Sequence, residues 1–133
     1  KKDVPYTSKL INDGVLAQMD MGTLLDYCAI QLNGEKAAGK EAVININFTD
    51  TKEKVILMLN NGVLNHRLDS QDEKADLTLE IAKMDFVKLF FGRTDLQTLL
   101  KTNKVRATGN AQAMDVIRSA YEPADPNFKI VLP

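Results

Sequence analysis

The chain carries a single histidine, His66, and a single cysteine, Cys28, so any nucleophilic or metal chemistry would have to begin with these two. A zinc site needs several imidazole or thiolate ligands, and one of each cannot supply them. Cys28 falls on the apolar stripe of a helical pattern. It has no basic neighbour in sequence to favour a thiolate, and reads as a small buried hydrophobe. His66 sits in an irregular strand pattern and reads as a surface or edge-strand imidazole. A serine or cysteine nucleophile served by it would need partners that the spacing does not announce. Neither Gly-rich phosphate-loop spacing occurs, and there is no nucleophile elbow. Carboxylates, Asp26 and Asp125 among them, are scattered, and no Asp/Asn/Gly loop of the calcium kind is present. No catalytic residue, metal ligand or cofactor is assigned.

Two features remain. Lys104 and Arg106 share one face of the last strand pattern, with Lys101 nearby. A solvated sheet face is the ordinary explanation, and a small basic spot for an anionic head group is the sharper one. The second feature is a surplus of adaptable apolar residues: Met19, Met21, Met58, Met84 and Met114, with Phe86, Phe90, Phe91, Tyr121 and Phe128. Met and Phe at helical spacing ordinarily make core. Met is also flexible, and suits a pocket that accepts chains of variable shape.

The elements that must position these groups follow from periodicity. Residues 1–19 read as a linker or an N-terminal helix, with Tyr6, Leu10, Ile11 and Val15 as its apolar face. Asp20 is a candidate N-cap, and Met21, Leu24, Leu25, Cys28 and Leu32 recur at helical spacing. Asn33-Gly34 reads as the end of that helix, and residues 35–40 as one more turn ended at Gly39. Ile44, Ile46 and Phe48 alternate with Asn45 and Asn47, a strand with one dry face. The stretch 55–59 is apolar on both faces, so it is either a central strand covered twice or one whose second face lines a cavity. Asn60-Asn61-Gly62 turns the chain into a third strand ending at Leu68, a sheet edge.

Leu77, Leu79 and Ile81 then alternate with Thr78 and Glu80, after which the period changes. Met84, Val87 and Phe91 form one helical line, and Phe86, Leu89 and Phe90 a second beside it. An apolar arc this wide must bury on two sides, or offer one side to a ligand. The expected arrangement has Phe86, Leu89 and Phe90 facing a cavity. Thr94-Asp95-Leu96-Gln97 has capping-box form and opens the next helix. Val105 and Ala107 mark the last strand. A final helix capped by Asn110 carries Ala113, Met114, Ile117, Ala120 and Tyr121 and stops at Pro123. The tail is extended, and Phe128, Ile130 and Val131 are expected to pack back on the domain or on a neighbour.

This is an α+β pattern: a single five-stranded sheet with helices packed mainly on one face. At 133 residues the chain fits one domain. Its 44% hydrophobic and 26% charged residues set it apart from a disordered chain. A net charge of −1 gives no electrostatic case for nucleic acid. No apolar run approaches the ~20 residues of a transmembrane helix, and the first residues lack the apolar core of a signal peptide. The start at Lys1 suggests a processed or excised piece of something longer. The bacterial periplasm and cytoplasm both fit.

Five segments carry a resemblance: LLDYCAIQLNGEKAAGK, INFTDTKEKVILMLNNGVLNHR, ADLTLEIAKMDF, GRTDLQTLLKTNKVRATGN and DPNFKIVLP. Together they resemble the C-terminal domain of alkyl sulfatases, which has a sterol carrier protein type-2-like (SCP2-like) fold. The match covers residues 20–133, which makes that span the lipid-binding domain. The resemblance implies a sheet covered by helices around an apolar tunnel. It also implies a helper role, in which a separate metallo-β-lactamase-like domain with two zinc ions cleaves the sulfate ester and this domain receives the alkyl tail. The His-rich metal motif of that catalytic domain is absent here, so the activity does not carry over to this chain.

The expected ligand is therefore a long-chain apolar small molecule: a fatty acid, an alkyl sulfate or another lipid. The expected apolar lining is Ile56 and Met58 from the two-sided strand, and Met84, Phe86, Leu89 and Phe90 from the wide helix. Leu100, Met114, Ile117, Tyr121 and Phe128 complete it. The expected partners are the catalytic domain or a second copy. A structural or dimerisation domain docking on that catalytic domain, or a freestanding lipid carrier, are the alternatives.

Overall fold

Alternation of side chains builds the sheet. In β1 (Ala42–Phe48), Ala42, Ile44, Ile46 and Phe48 are buried on one face. The register sets Leu59, Leu57 and Val55 of β2 (Lys54–Asn60) beside them on that face. Leu77, Leu79 and Ile81 of β4 (Leu77–Ile81) flank β1 on its other side. With β3 (Val63–Leu68) and β5 (Val105–Gly109) the order is β3-β2-β1-β4-β5. Only the central β1–β4 pair is parallel. The computed structural model describes residues 13–121. The expectations placed on Tyr6, Leu10, Ile11, Pro123, Phe128, Ile130 and Val131 lie outside them.

Positive φ angles of 54° at Asn61 and 79° at Gly62 close the β2–β3 hairpin as that dipeptide allows. Gly109 is required for a different reason. Its φ is +108°, and a Cβ there would stand 2.6 Å from the Asp76 carbonyl oxygen, so only glycine lets β5 end against β4.

The helices are α1 (Asp13–Gln18), α2 (Met21–Ile30), α3 (Gly34–Ala37), α4 (Lys83–Phe90), α5 (Leu96–Lys101) and α6 (Gln112–Ala120). Asp20 caps α2, its carboxylate accepting from Thr23 N at 2.8 Å. Asn33 does not end α2 as expected. The helix closes at Gln31, and Asn33 has extended backbone and caps α3, accepting from Glu35 N and Lys36 N. A side chain able to favour a C-terminal turn is equally able to cap a new helix, and here it does the second. The cap of α5 is likewise Asp95, which accepts from Thr98 N at 2.7 Å, and not Thr94. Asn110 accepts from Gln112 N at the start of α6.

The helices cover the apolar sheet face, with α2 against β3, α6 against β1 and α5 against β5, while α1 packs on α4 and α3 on α6. Met21, Leu24, Leu25 and Cys28 of α2, Phe86, Val87, Leu89 and Phe90 of α4, and Ala113, Met114, Ile117 and Ala120 of α6 close on the sheet as one core.

The second sheet face explains the two-sided strand. Asn45 is buried on that face, donating from Nδ2 to the Asp72 carbonyl oxygen and accepting from Asp72 N, both at 2.8 Å. Gln71 Nε2 adds a bond to the Val55 carbonyl oxygen at 3.2 Å. The polar loop after β3 is thereby folded over the sheet, and Ile56, the register partner of Asn45, is buried at 6% exposure on that side. The second apolar face of β2 is thus covered by a loop. Truncating Asn45→Ala would remove both of its hydrogen bonds to the Asp72 backbone and leave the Asp72 N–H without its acceptor, and is expected to cost about 2 kcal/mol in urea unfolding. A stability unchanged within about 0.5 kcal/mol would show that the clamp is incidental.

Candidate functional site

Six aromatic rings form a continuous row from the sheet to the surface. Phe48 meets Phe86 edge-on, with centroids 5.7 Å apart and planes at 89°. Phe86 lies 6.2 Å from Phe90, which touches Phe91 at 5.0 Å and Tyr121 at 5.7 Å. Phe91 then contacts Tyr121 at 5.3 Å and Tyr27 at 5.9 Å. The inner three rings, Phe48, Phe86 and Phe90, are fully buried, and the outer three, Tyr27, Phe91 and Tyr121, are half-buried. Helical spacing makes this possible: Phe86 and Phe90 are four apart on α4 and so stack along one side.

The expected lining residues divide. Phe86, Leu89, Phe90, Met114 and Ile117 are brought together between the helices and the sheet, with Met84 and Tyr121 half-buried beside them. Their exposures are at most 1% for the first five, so these side chains touch no space wide enough for water and close on one another. Val87, from the other expected line of α4, is equally buried. Met84 and Phe91 of that second line are half-buried, so the arc is closed over Phe86, Val87, Leu89 and Phe90 and partly open at its two ends. Ile56 and Met58 face the opposite side of the sheet and do not join the group. Leu100 is 43% exposed. It borders a surface cleft of 460 Å³ with Asp95, Leu96, Gln97, Ala111, Asp115 and Arg118. Phe128 lies outside the described residues.

The surroundings of the row are dry. Burial pushes the Cys28 thiol from 9.0 up to about 12, which suits packing and opposes reactivity. Burial also raises the Tyr27 phenol, with Cys28 adding to it. For Tyr121 burial again dominates the upward shift, joined by Tyr27 and Cys28 and opposed by Arg93. His66 lies on the edge strand, as expected, with Nδ1 3.7 Å from Asp26 Oδ1. Among the described residues no three His, Cys, Asp or Glu side chains gather where they could hold a metal ion.

Sequence reasoning missed Lys83. The side chain is buried at 9% exposure, and Nζ donates to the carbonyl oxygens of Ala17 (3.1 Å) and Met19. It ties the end of α1 to the start of α4, while its backbone N–H donates to Asp50 Oδ1 at 3.1 Å. The one signal was a cation at the first position of a helix, where the helix dipole disfavours it.

The family model described as alkyl sulfatase C-terminal matches residues 9–133. The chain belongs to the alkyl sulfatase C-terminal family. It is 32% identical over 108 residues to an (R)-specific secondary-alkylsulfatase from Pseudomonas sp., covering 81% of this chain and 16% of that protein. The structure of the inverting sec-alkylsulfatase Pisa1 from Pseudomonas sp. superposes with a TM-score of 0.77 at 29% identity, over 88% of this chain and 18% of that one. Palmitated SCP2L2 from Aedes aegypti shares the fold at a TM-score of 0.53 and 16% identity, covering 78% of this chain and 99% of that protein. The alkyl sulfatase C-terminal domain thus has an SCP2-like fold, and this chain spans about one-sixth of the alkylsulfatases that it matches.

The buried thiol and the half-buried phenols each weaken the domain at high pH. Each is an acid whose folded pKa lies above its unfolded one. The stability they contribute is complete below pH 9, and is lost as pH rises through the unfolded values toward 12. Removing the thiol with Cys28→Ala is expected to flatten the fall in urea-unfolding free energy between pH 8.5 and 11. Equal slopes in the variant and the parent would contradict the assignment.

Proposed function

We propose that this chain is a non-catalytic binding module for long aliphatic chains, the accessory domain that receives the alkyl tail for a zinc-dependent alkyl sulfatase. The row of six rings carries the reading. It is an apolar row of packed rings from the surface into the core, in the same core cluster as the flexible side chains of Met84 and Met114. Membership of the alkyl sulfatase C-terminal family supports the role beside a sulfatase catalytic domain. The palmitate carried by a protein of the same fold supports the ligand class. Phe91, Tyr27 and Tyr121 would swing aside to admit the chain, and the packed rings of Phe90 and Phe86 would part along it. Each buried methylene is worth ~0.8 kcal/mol, so a tail of about a dozen carbons can offset the separation of packed rings.

Titration calorimetry of the purified chain with dodecyl sulfate below micelle formation, and with palmitate, tests the proposal. Saturable binding at micromolar concentration is expected for both, with affinity rising as the tail lengthens. Absence of binding by either ligand at high micromolar concentration would sink it.

A further inference from the structure

The sheet ends in two edge strands, and they are not alike. β5 is short, is entered from the exposed Lys104, carries the exposed Arg106 and ends at the turned backbone of Gly109. Short length, cations and a kinked end are ordinary means of keeping another strand off an edge. β3 has none of them apart from Arg67. Its backbone parity leaves half of its polar groups facing outward. Asp69 N donates to the Lys54 carbonyl oxygen opposite it at 2.8 Å. Bonded rows alternate in an antiparallel ladder, so Arg67, Asn65 and Val63 bond to Ile56, Met58 and Asn60 of β2. Leu64, His66 and Leu68 therefore turn their N–H and C=O groups away from the sheet. Among the described residues these groups have no partner, except that the Leu68 carbonyl oxygen accepts from Ser70 Oγ at 3.1 Å.

The same border is apolar. α2 runs antiparallel alongside β3: a Cβ at Gly22 would stand 3.7 Å from Leu68 Cδ1, Asp26 reaches His66, and a Cβ at Gly62 would stand 3.0 Å from the Gly34 carbonyl oxygen. A spacing of four puts Ile30 on the stripe of α2 that carries Asp26, and Ile30 is 75% exposed. Val63 and Leu68, at the two ends of β3, are 51% and 43% exposed. The other large apolar side chains exposed among the described residues are Val15 and Leu100, so most of this exposed apolar surface lies along one edge.

We propose that β3 pairs antiparallel with β3 of a second copy, joining the two sheets across a two-fold axis at His66. The strand is complementary to itself in that register. Leu64 faces Leu68 of the second copy and His66 faces His66, so the outward N–H and C=O groups of all three residues enter the new ladder. Arg67 falls opposite Asn65, which keeps like charges from facing each other directly. The two imidazoles meet with an Asp26 carboxylate beside each. Because α2 runs antiparallel to β3, the Ile30 end of each α2 comes to lie beside the Gly22 end of the other, and the exposed Ile30 gains cover. This association is independent of the aliphatic-chain binding proposed above.

Sedimentation equilibrium and amide exchange of the full chain test it together. The mass is expected to rise from monomer to dimer with concentration. The amides of Leu64, His66 and Leu68 should become protected over the same range, while those of Val63, Asn65 and Arg67 are protected throughout. A mixed-label sample should show an intermolecular cross-peak between the Hα protons of Asn65 and Arg67. His66→Pro removes an outward N–H without touching the bonds to β2, and Ile30→Lys puts a charge at an exposed position. Each is expected to weaken dimerisation by about ten-fold or more, and Ile30→Lys decides alone if the proline variant does not fold. A chain that stays monomeric at every concentration overturns the inference and leaves the edge to a strand from a different protein. A dimer without the Asn65–Arg67 cross-peak, or one that the folded variants leave undiminished, overturns it as well.

Discussion

The edge-on contact between Phe48 and Phe86 is the joint on which the molecule depends. Phe48 ends the central strand and Phe86 sits in the middle of α4, so this pair fixes the helical layer to the sheet. Edge-to-face rings gain about 1 kcal/mol beyond the area that they bury. Geometry matters more than that sum, because the orientation of Phe86 sets that of Phe90, and Phe90 in turn carries Phe91 and Tyr121. The core and the candidate entrance are therefore one connected set of rings. A ligand that moves the outer members must be felt at the sheet.

Two buried polar side chains hold this apolar set in place. Lys83 ties α1 to α4, and Asn45 ties the loop after β3 to the outer sheet face. Each is used at once by backbone groups that are distant in sequence, so each pins a segment whose own pattern is too short or too polar to dock by itself. Buried polar groups are tolerated when they are satisfied, and both of these are. Arg118 is the contrast: its Nε is buried with no hydrogen-bond partner.

Local periodicity made most of the architecture legible. The alternation in 44–48 and 77–81, the Asn61-Gly62 hairpin and the helical stripes of α2, α4 and α6 all appear where the pattern puts them. What escaped was long-range. The apolar outer face of β2 looked like a cavity wall because the polar stretch 69–74 gives no sign that Asn45 will draw it over Ile56. Leu100 belongs to the apolar pattern of its helix yet faces a cleft, since α5 has fewer than two turns with which to choose a side. The anchoring role of Lys83 depends on where α1 docks, and no local spacing encodes that.

The central claim is that the ring row is the path of the alkyl chain. Isotope-filtered nuclear Overhauser spectroscopy of the domain saturated with palmitate tests it most directly. The account predicts cross-peaks from the palmitate methylenes to the ring protons of Tyr27, Phe90, Phe91 and Tyr121, deepening to Phe86 toward the methyl end. Palmitate that binds while showing contacts only to other parts of the surface, with those rings undisturbed, would contradict it.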